Sequence, residues 1–180
     1  MDHFLAVIGY SNSGKTTLVE ALVRALKERG YRVGTVKHTH HSPDFDQTGR
    51  DSFRHFAAGS DTALLDAGQT LSMVKRIPAA GAETSGPEAL ARYFGDVDVV
   101  VAEGYKEADC PKIEVYRPGS GPPLCRTDAN VIAIVTEADL EKDPETGAGC
   151  PVPCYAPTQI PEIVEMIETC IIQKNHRFPC

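Results

Sequence analysis

Residues 3–37 read HFLAVIGYSNSGKTTLVEALVRALKERGYRVGTVK. His3 to Gly9 is a near-continuous apolar run, the pattern of a strand buried on both faces of a parallel sheet. Gly9 to Gly14 is a loop of Gly, Ser and Asn with one Tyr. From Lys15 to Arg29, Leu18, Leu22, Val23 and Leu26 recur at three- and four-residue spacing, which predicts an amphipathic helix. Gly30 stands where a C-terminal helix glycine is expected. Tyr31 to Val36 then predicts a second strand. Strand, loop, helix, strand is the right-handed crossover unit that begins an α/β fold.

Within this unit, Gly9-Tyr10-Ser11-Asn12-Ser13-Gly14-Lys15-Thr16 matches G-x-x-x-x-G-K-[ST] in full, with Thr17 following. By average residue usage the pattern arises by chance in about one chain in one or two hundred. Its position between a buried strand and an amphipathic helix is the context the motif requires. The glycines let successive N–H groups turn inward as a nest for phosphate oxygens. The helix that starts here adds its positive end. Lys15 is spaced to reach β- and γ-phosphates, and the Thr16 hydroxyl to ligand Mg²⁺.

The chain has 180 residues, about one domain, with an expected radius of gyration of about 16 Å. Apolar residues at 42% and charged residues at 24% predict a globular protein that folds without a metal or disulfide. Eighteen basic against 25 acidic residues give a net charge of −7. That argues against non-specific binding to nucleic acid or to an anionic membrane, but not against a nucleotide in a local positive pocket. No run is long enough to span a membrane, and Met1-Asp2-His3 lacks the basic start of a signal peptide. A cytoplasmic protein with its six cysteines reduced is the expectation.

Beyond the first unit, residues 49–58 predict a short helix. Residues 61–66 and 70–77 predict strands joined around Ala67-Gly68 as a hairpin. A helix is expected at 87–94 with Ser85 near its N-cap, strands at 97–102, 112–116 and 131–135, and a helix at 160–172. No composition break separates domains. Residues 1–172 are read as one domain and 173–180 as a frayed tail.

Several residues are candidates for chemistry. Glu103 follows the buried run Val97–Ala102, where a strand end opens on the ligand crevice and a carboxylate can hold the Mg²⁺ shell. A solvated carboxylate is the plain alternative, and Asp98 is a weaker candidate inside the run. Lys37 and His38 end the second strand and can contact phosphate or a second anion. His38, His40 and His41 also suggest a transition-metal site, or simply a polar loop. Asp46 can ligand Mg²⁺ or orient water. Arg50 and Arg54 stand one helical turn apart, able to meet a phosphate or only solvent. Cys150 and Cys154 have near-metal spacing, with Cys110 as a possible third thiol, yet no second tight pair exists.

The segments GYSNSGKTT, VGTVKHTHH, DQTGRDSFRHFAAGSD and VVVAEGYK, in this order between residues 7 and 106, resemble the molybdopterin-guanine dinucleotide biosynthesis protein B family. The resemblance implies an α/β fold: a three-layer P-loop NTPase-like fold with a mostly parallel sheet, here with a β-hairpin addition. It implies GTP and Mg²⁺ binding, weak hydrolysis and a homodimer. The implied role is an adaptor that assists the molybdopterin guanylyltransferase, alongside molybdenum insertion proteins. Carried onto this chain, the phosphate loop is Gly9 to Thr17, the Lys-His strand end is Lys37 and His38, the acidic loop holds Asp46 and Asp51, and the acidic strand end is Glu103 with Gly104 and Lys106. In GTPases an Asp after a late strand accepts from guanine N1 and N2. Asp139 sits in such a position, but the Asn and Lys that usually precede it are missing, so a loop or capping role stays open. Two rivals remain: a P-loop kinase or synthetase using ATP, and a GTP-dependent metallochaperone.

Overall fold

The computed structural model describes residues 3–39, 51–77, 86–140 and 150–173. Asp46, His40, His41, Arg50, Ser85 and the tail beyond 173 lie outside the described residues. The elements are β1 (Phe4–Ile8), α1 (Lys15–Glu28), β2 (Val33–Lys37), α2 (Asp51–Ala57), β3 (Thr62–Asp66), β4 (Leu71–Lys75), α3 (Pro87–Ala91), β5 (Val99–Glu103), β6 (Lys112–Val115), β7 (Val131–Val135), β8 (Cys154–Tyr155) and α4 (Ile160–Ile167). A 3-10 turn covers Leu124–Arg126, and α4 widens into a π turn over Glu168–Ile172. The final helix is therefore α-helical for only part of its expected length.

Six strands form one sheet in the order β2-β5-β1-β6-β7-β8, and every pairing is parallel. β1 is apolar throughout and buried along its whole length, because both of its edges and both of its faces are covered. Alternation divides the core in two. Leu5, Val7, Val99, Val101, Ile113 and Ala133 point to α1 and α4, meeting Leu18, Leu22, Leu26, Ile163 and Ile167. Phe4, Ala6, Ile8, Val100, Ala102 and Ile134 point the other way, onto Tyr116, Leu124, Cys125 and the region of α3. This is the expected three-layer α/β arrangement.

The 61–77 hairpin also forms as expected. β3 and β4 pair antiparallel, with Leu64 opposite Met73 and Asp66 opposite Leu71. The turn closes through Ala67 N–H to the Thr70 carbonyl (2.9 Å) and Gly68 N–H to the Asp66 carboxylate (2.9 Å). Internal contacts divide the chain into two compact units, 1–38 with 85–180, and 39–84. The division arises because β3 and β4 pair only with each other and add no strand to the six-stranded sheet.

Two features escaped the sequence. β8 arises inside the polar 137–154 stretch, held by Ile134 N–H to the Pro153 carbonyl (3.0 Å) and Thr136 N–H to the Tyr155 carbonyl (2.9 Å). The cysteines also differ from expectation. Cys125 and Cys150 are joined as a disulfide rather than held as separate thiols, because the 3-10 turn sets Cys125 against the residue that begins the approach to β8. Cys154 is exposed and free, and Cys110 is a buried free thiol. Among the described residues no group of three His, Cys, Asp or Glu side chains is placed to hold a metal.

The 3-10 turn depends on Glu114. This carboxylate is fully buried on β6 and accepts the backbone N–H groups of Leu124 (2.8 Å) and Cys125 (2.9 Å). Burial pushes its pKa above the ordinary range, against the opposing pull of those two N–H groups and of Lys106. The folded state thus holds this proton more tightly than the unfolded chain. Its stabilising contribution is complete below the ordinary glutamate pKa and is lost as pH rises through the raised folded value. In urea denaturation across a pH series, wild type should lose stability relative to Glu114→Gln as pH rises from the ordinary glutamate range toward neutral. A pH-independent difference would contradict this assignment.

Candidate functional site

The parallel strands all end on one side of the sheet, and the Gly9–Gly14 loop joins β1 to α1 there. Gly9 has φ 144°, and a Cβ on it would collide with the Val115 carbonyl oxygen of β6. Gly14, at φ 101°, caps α1. No side chain caps this helix, and its first turn carries no acidic residue. The first-turn N–H groups and the positive end of the dipole are therefore left uncompensated. Ser13 Oγ is buried and has no hydrogen-bond partner. An orphaned hydroxyl inside a glycine nest at an uncapped helix start fits an anionic ligand that brings its own acceptors.

Around this loop the side chains expected from sequence converge. Lys15 Nζ donates to the Tyr10 carbonyl of its own loop at 2.6 Å. Burial holds the Lys15 pKa below its ordinary value; Glu103 opposes the shift and Lys37 adds to it. The Thr16 hydroxyl lies 3.0 and 2.9 Å from the two oxygens of Glu103, although 87 positions separate the residues. Lys37 Nζ sits 3.1 Å from the same carboxylate. The meeting follows from sheet register: Lys37 pairs with Glu103 at the ends of neighbouring strands β2 and β5. A hydroxyl and a carboxylate are hard oxygen donors, suited to Mg²⁺ rather than to a thiophilic metal.

His38 continues the strand pairing, its N–H donating to the Glu103 carbonyl at 2.9 Å. Its ring centroid lies 5.0 Å from that of Tyr105, the two planes tilted by 42°. Tyr105 adopts φ 58°, a costly conformation for a non-glycine residue and one that concentrates at functional sites. Burial raises its hydroxyl pKa. Asp98 lies at the opposite end of β5, where it accepts from the Arg32 backbone N–H (2.6 Å) and guanidinium. Asp139 is exposed, beyond the end of β7.

Beyond the contacts above, the structure adds partners for Tyr10 and Lys106, and a cavity for which the sequence has no motif. The Tyr10 hydroxyl donates to the Pro122 carbonyl (3.1 Å), and its ring packs over Gly121. Lys106 lies over that ring at 5.5 Å. A cavity of about 540 Å³ opens beside Ser13, Gly14 and Thr17 and carries Arg117 and Glu137 on its wall. Arg117 and Glu137 each stand two residues past the end of a buried strand, β6 and β7, and that placement was the available signal.

A parallel sheet whose most buried strand turns through a glycine loop into a packed helix defines a P-loop NTPase-like α/β protein. Residues 4–137 match the family described as "Molybdopterin guanine dinucleotide synthesis protein B", MobB, and the chain belongs to that family. It is 36% identical over 141 residues to the molybdopterin-guanine dinucleotide biosynthesis adapter protein of Haemophilus influenzae, covering 77% of each chain. It is 35% identical over 143 residues to the adapter protein of Escherichia coli, covering 77% of this chain and 81% of that one. The crystal structure of Bacillus subtilis MobB superposes with a TM-score of 0.70 at 23% identity, covering 94% of this chain and 98% of that one.

The charge balance at Lys15 can be measured directly. Removing the Glu103 charge takes away the group that favours the Lys15 ammonium, so Glu103→Gln should lower the Lys15 pKa further. Lys37→Met removes a like charge and should raise it. NMR titration of the Lys15 side chain reads both; shifts in the reverse directions would refute the arrangement.

Proposed function

We propose that this chain binds GTP with Mg²⁺, hydrolyses it slowly, and acts as an adapter in converting molybdopterin to its guanine dinucleotide form. The observation that carries the reading is the Thr16 hydroxyl and the Glu103 carboxylate, 2.9 Å apart beside a glycine nest and Lys15. In this reading the loop N–H groups from Gly9 to Thr17, through Tyr10, Ser11, Asn12, Ser13 and Gly14, cradle the phosphates. Lys15 offsets charge on the terminal phosphates, and Thr16 and Glu103 hold Mg²⁺, which neutralises phosphate charge when bound. Lys37 and His38 line the outer side of the phosphate site. Asp46 orders water, the role implied by its place in the acidic loop. The relatives named as biosynthesis adapters support the adapter role; a cytoplasmic location and the molybdopterin guanylyltransferase and molybdenum insertion proteins as partners belong to the same proposal.

Calorimetric titration tests the nucleotide reading. Mg²⁺-GTP should bind with a Kd on the order of micromolar. Lys15→Ala should abolish that binding, and Thr16→Ala should remove its Mg²⁺ dependence. Preference for ATP would overturn the reading in favour of a small-molecule kinase or synthetase.

A homodimer through the 39–84 unit belongs to the same proposal. On one face of its hairpin, Leu64, Leu71 and Met73 are 58%, 67% and 43% exposed. An apolar cluster of this kind marks an interaction surface. Light scattering of the Leu71→Asp, Met73→Asp double variant should give a folded monomer where wild type gives a dimer. A variant that stays dimeric would exclude this face.

A further inference from the structure

The cavity beside the loop has a chemical asymmetry that phosphate binding does not use. It starts at Ser13 and Gly14 and extends across the carboxyl ends of β6 and β7. Pro118 lines it after β6, Pro157 ahead of α4 and Ile160 at the first residue of α4, giving low-polarity surface that suits a planar ring. Arg117 and Glu137 reach the same cavity from adjacent strand ends. Neither side chain makes a hydrogen bond or ion pair with any described residue. Between them Thr136 is buried, its backbone N–H given to Tyr155 and its hydroxyl oxygen accepting the Ala138 N–H at 3.0 Å. The hydroxyl proton remains available to an acceptor.

We propose that Arg117 and Glu137 read the base of a bound nucleotide and select guanine, with Glu137 accepting from N1–H and the N2 amino group and Arg117 donating toward O6 and N7. The inference rests on the nucleotide reading above and moves base recognition from Asp139 to Glu137. A cation and an anion on one cavity, each without a partner among the described residues, form a donor and an acceptor site. Guanine presents the matching order, acceptors at O6 and N7 and donors at N1 and N2. Adenine presents the reverse, a donor at N6 and an acceptor at N1, which would set N1 against a carboxylate. Such a mismatch leaves charged groups unpaired, and sites built on hydrogen bonds discriminate strongly for that reason. The volume of about 540 Å³ is within the range of small-molecule sites.

The experiment uses the full chain and four triphosphates: GTP, ITP, XTP and ATP. Inosine lacks the N2 amino group, so wild type should bind ITP several-fold more weakly than GTP, and ATP more weakly still. In Glu137→Gln the amide can donate to the xanthine 2-oxo group, so GTP affinity should fall about tenfold or more while XTP affinity rises. Asp139→Asn should leave the order GTP, ITP, XTP unchanged. Glu137 is exposed, so its variant keeps the fold, and the wild-type ITP comparison needs no variant at all. Wild type that binds GTP and ATP alike, Glu137→Gln that behaves as wild type, or an exchange to XTP produced by Asp139→Asn would each overturn the inference while leaving nucleotide binding intact. Wild type that binds no triphosphate would overturn the nucleotide reading itself and the inference with it.

Discussion

The burial of β1 on both edges and both faces governs everything around it. A strand with no exposed residue can meet solvent only at its end, and there the chain must reach α1 within a few residues. α1 in turn must lay Leu18, Leu22 and Leu26 back on the same sheet. The turn that satisfies both demands passes so close to β6 that Gly9 cannot carry a side chain without striking the Val115 carbonyl. Backbone N–H groups are thereby presented at the centre of the sheet, where the ends of β2, β5, β6 and β7 already converge. The candidate site is a geometric consequence of where the most buried strand comes out.

Sheet order then decides which distant residues become neighbours. β5 lies between β1 and β2, so Glu103 at its end faces Thr16 across one strand spacing and Lys37 across the other. This much was legible in the sequence, because continuous apolar runs announce parallel strands and parallel strands place their last residues on one crevice. The hairpin was legible for a local reason, since Ala67-Gly68 is flanked by two β-prone runs. What local pattern could not reveal were features fixed by non-local packing. Glu114 sits in a strand whose pattern gave no sign that a 3-10 turn ten residues later would supply its hydrogen bonds. The Cys125–Cys150 pairing depends on that same turn. β8 is two residues of a polar stretch that become a strand only because β7 offers a free edge. No short motif contains Arg117 or Glu137; only their position just past buried strand ends carries the signal.

The internal hydrogen bonds of the site also constrain how a ligand can be held. Lys15 is already bonded to the Tyr10 carbonyl, and Thr16 and Lys37 are already bonded to Glu103. A ligand that recruits these side chains exchanges one hydrogen bond for another, and such exchanges contribute little net free energy. Groups not committed in this way include the uncapped N–H groups at the start of α1, the buried Ser13 hydroxyl, the Thr136 hydroxyl proton, and the two opposite charges on the cavity wall. Under the nucleotide reading, Lys15 and Lys37 then act mainly through charge, while the backbone donors and the buried Ser13 hydroxyl add hydrogen bonds without giving one up. Lys15 and Lys37 outnumber the Glu103 carboxylate, so the site is locally positive in a chain whose net charge is −7. Under the proposed base reading, selectivity arises at Arg117 and Glu137 on the cavity wall, whose side chains are not committed to any described residue.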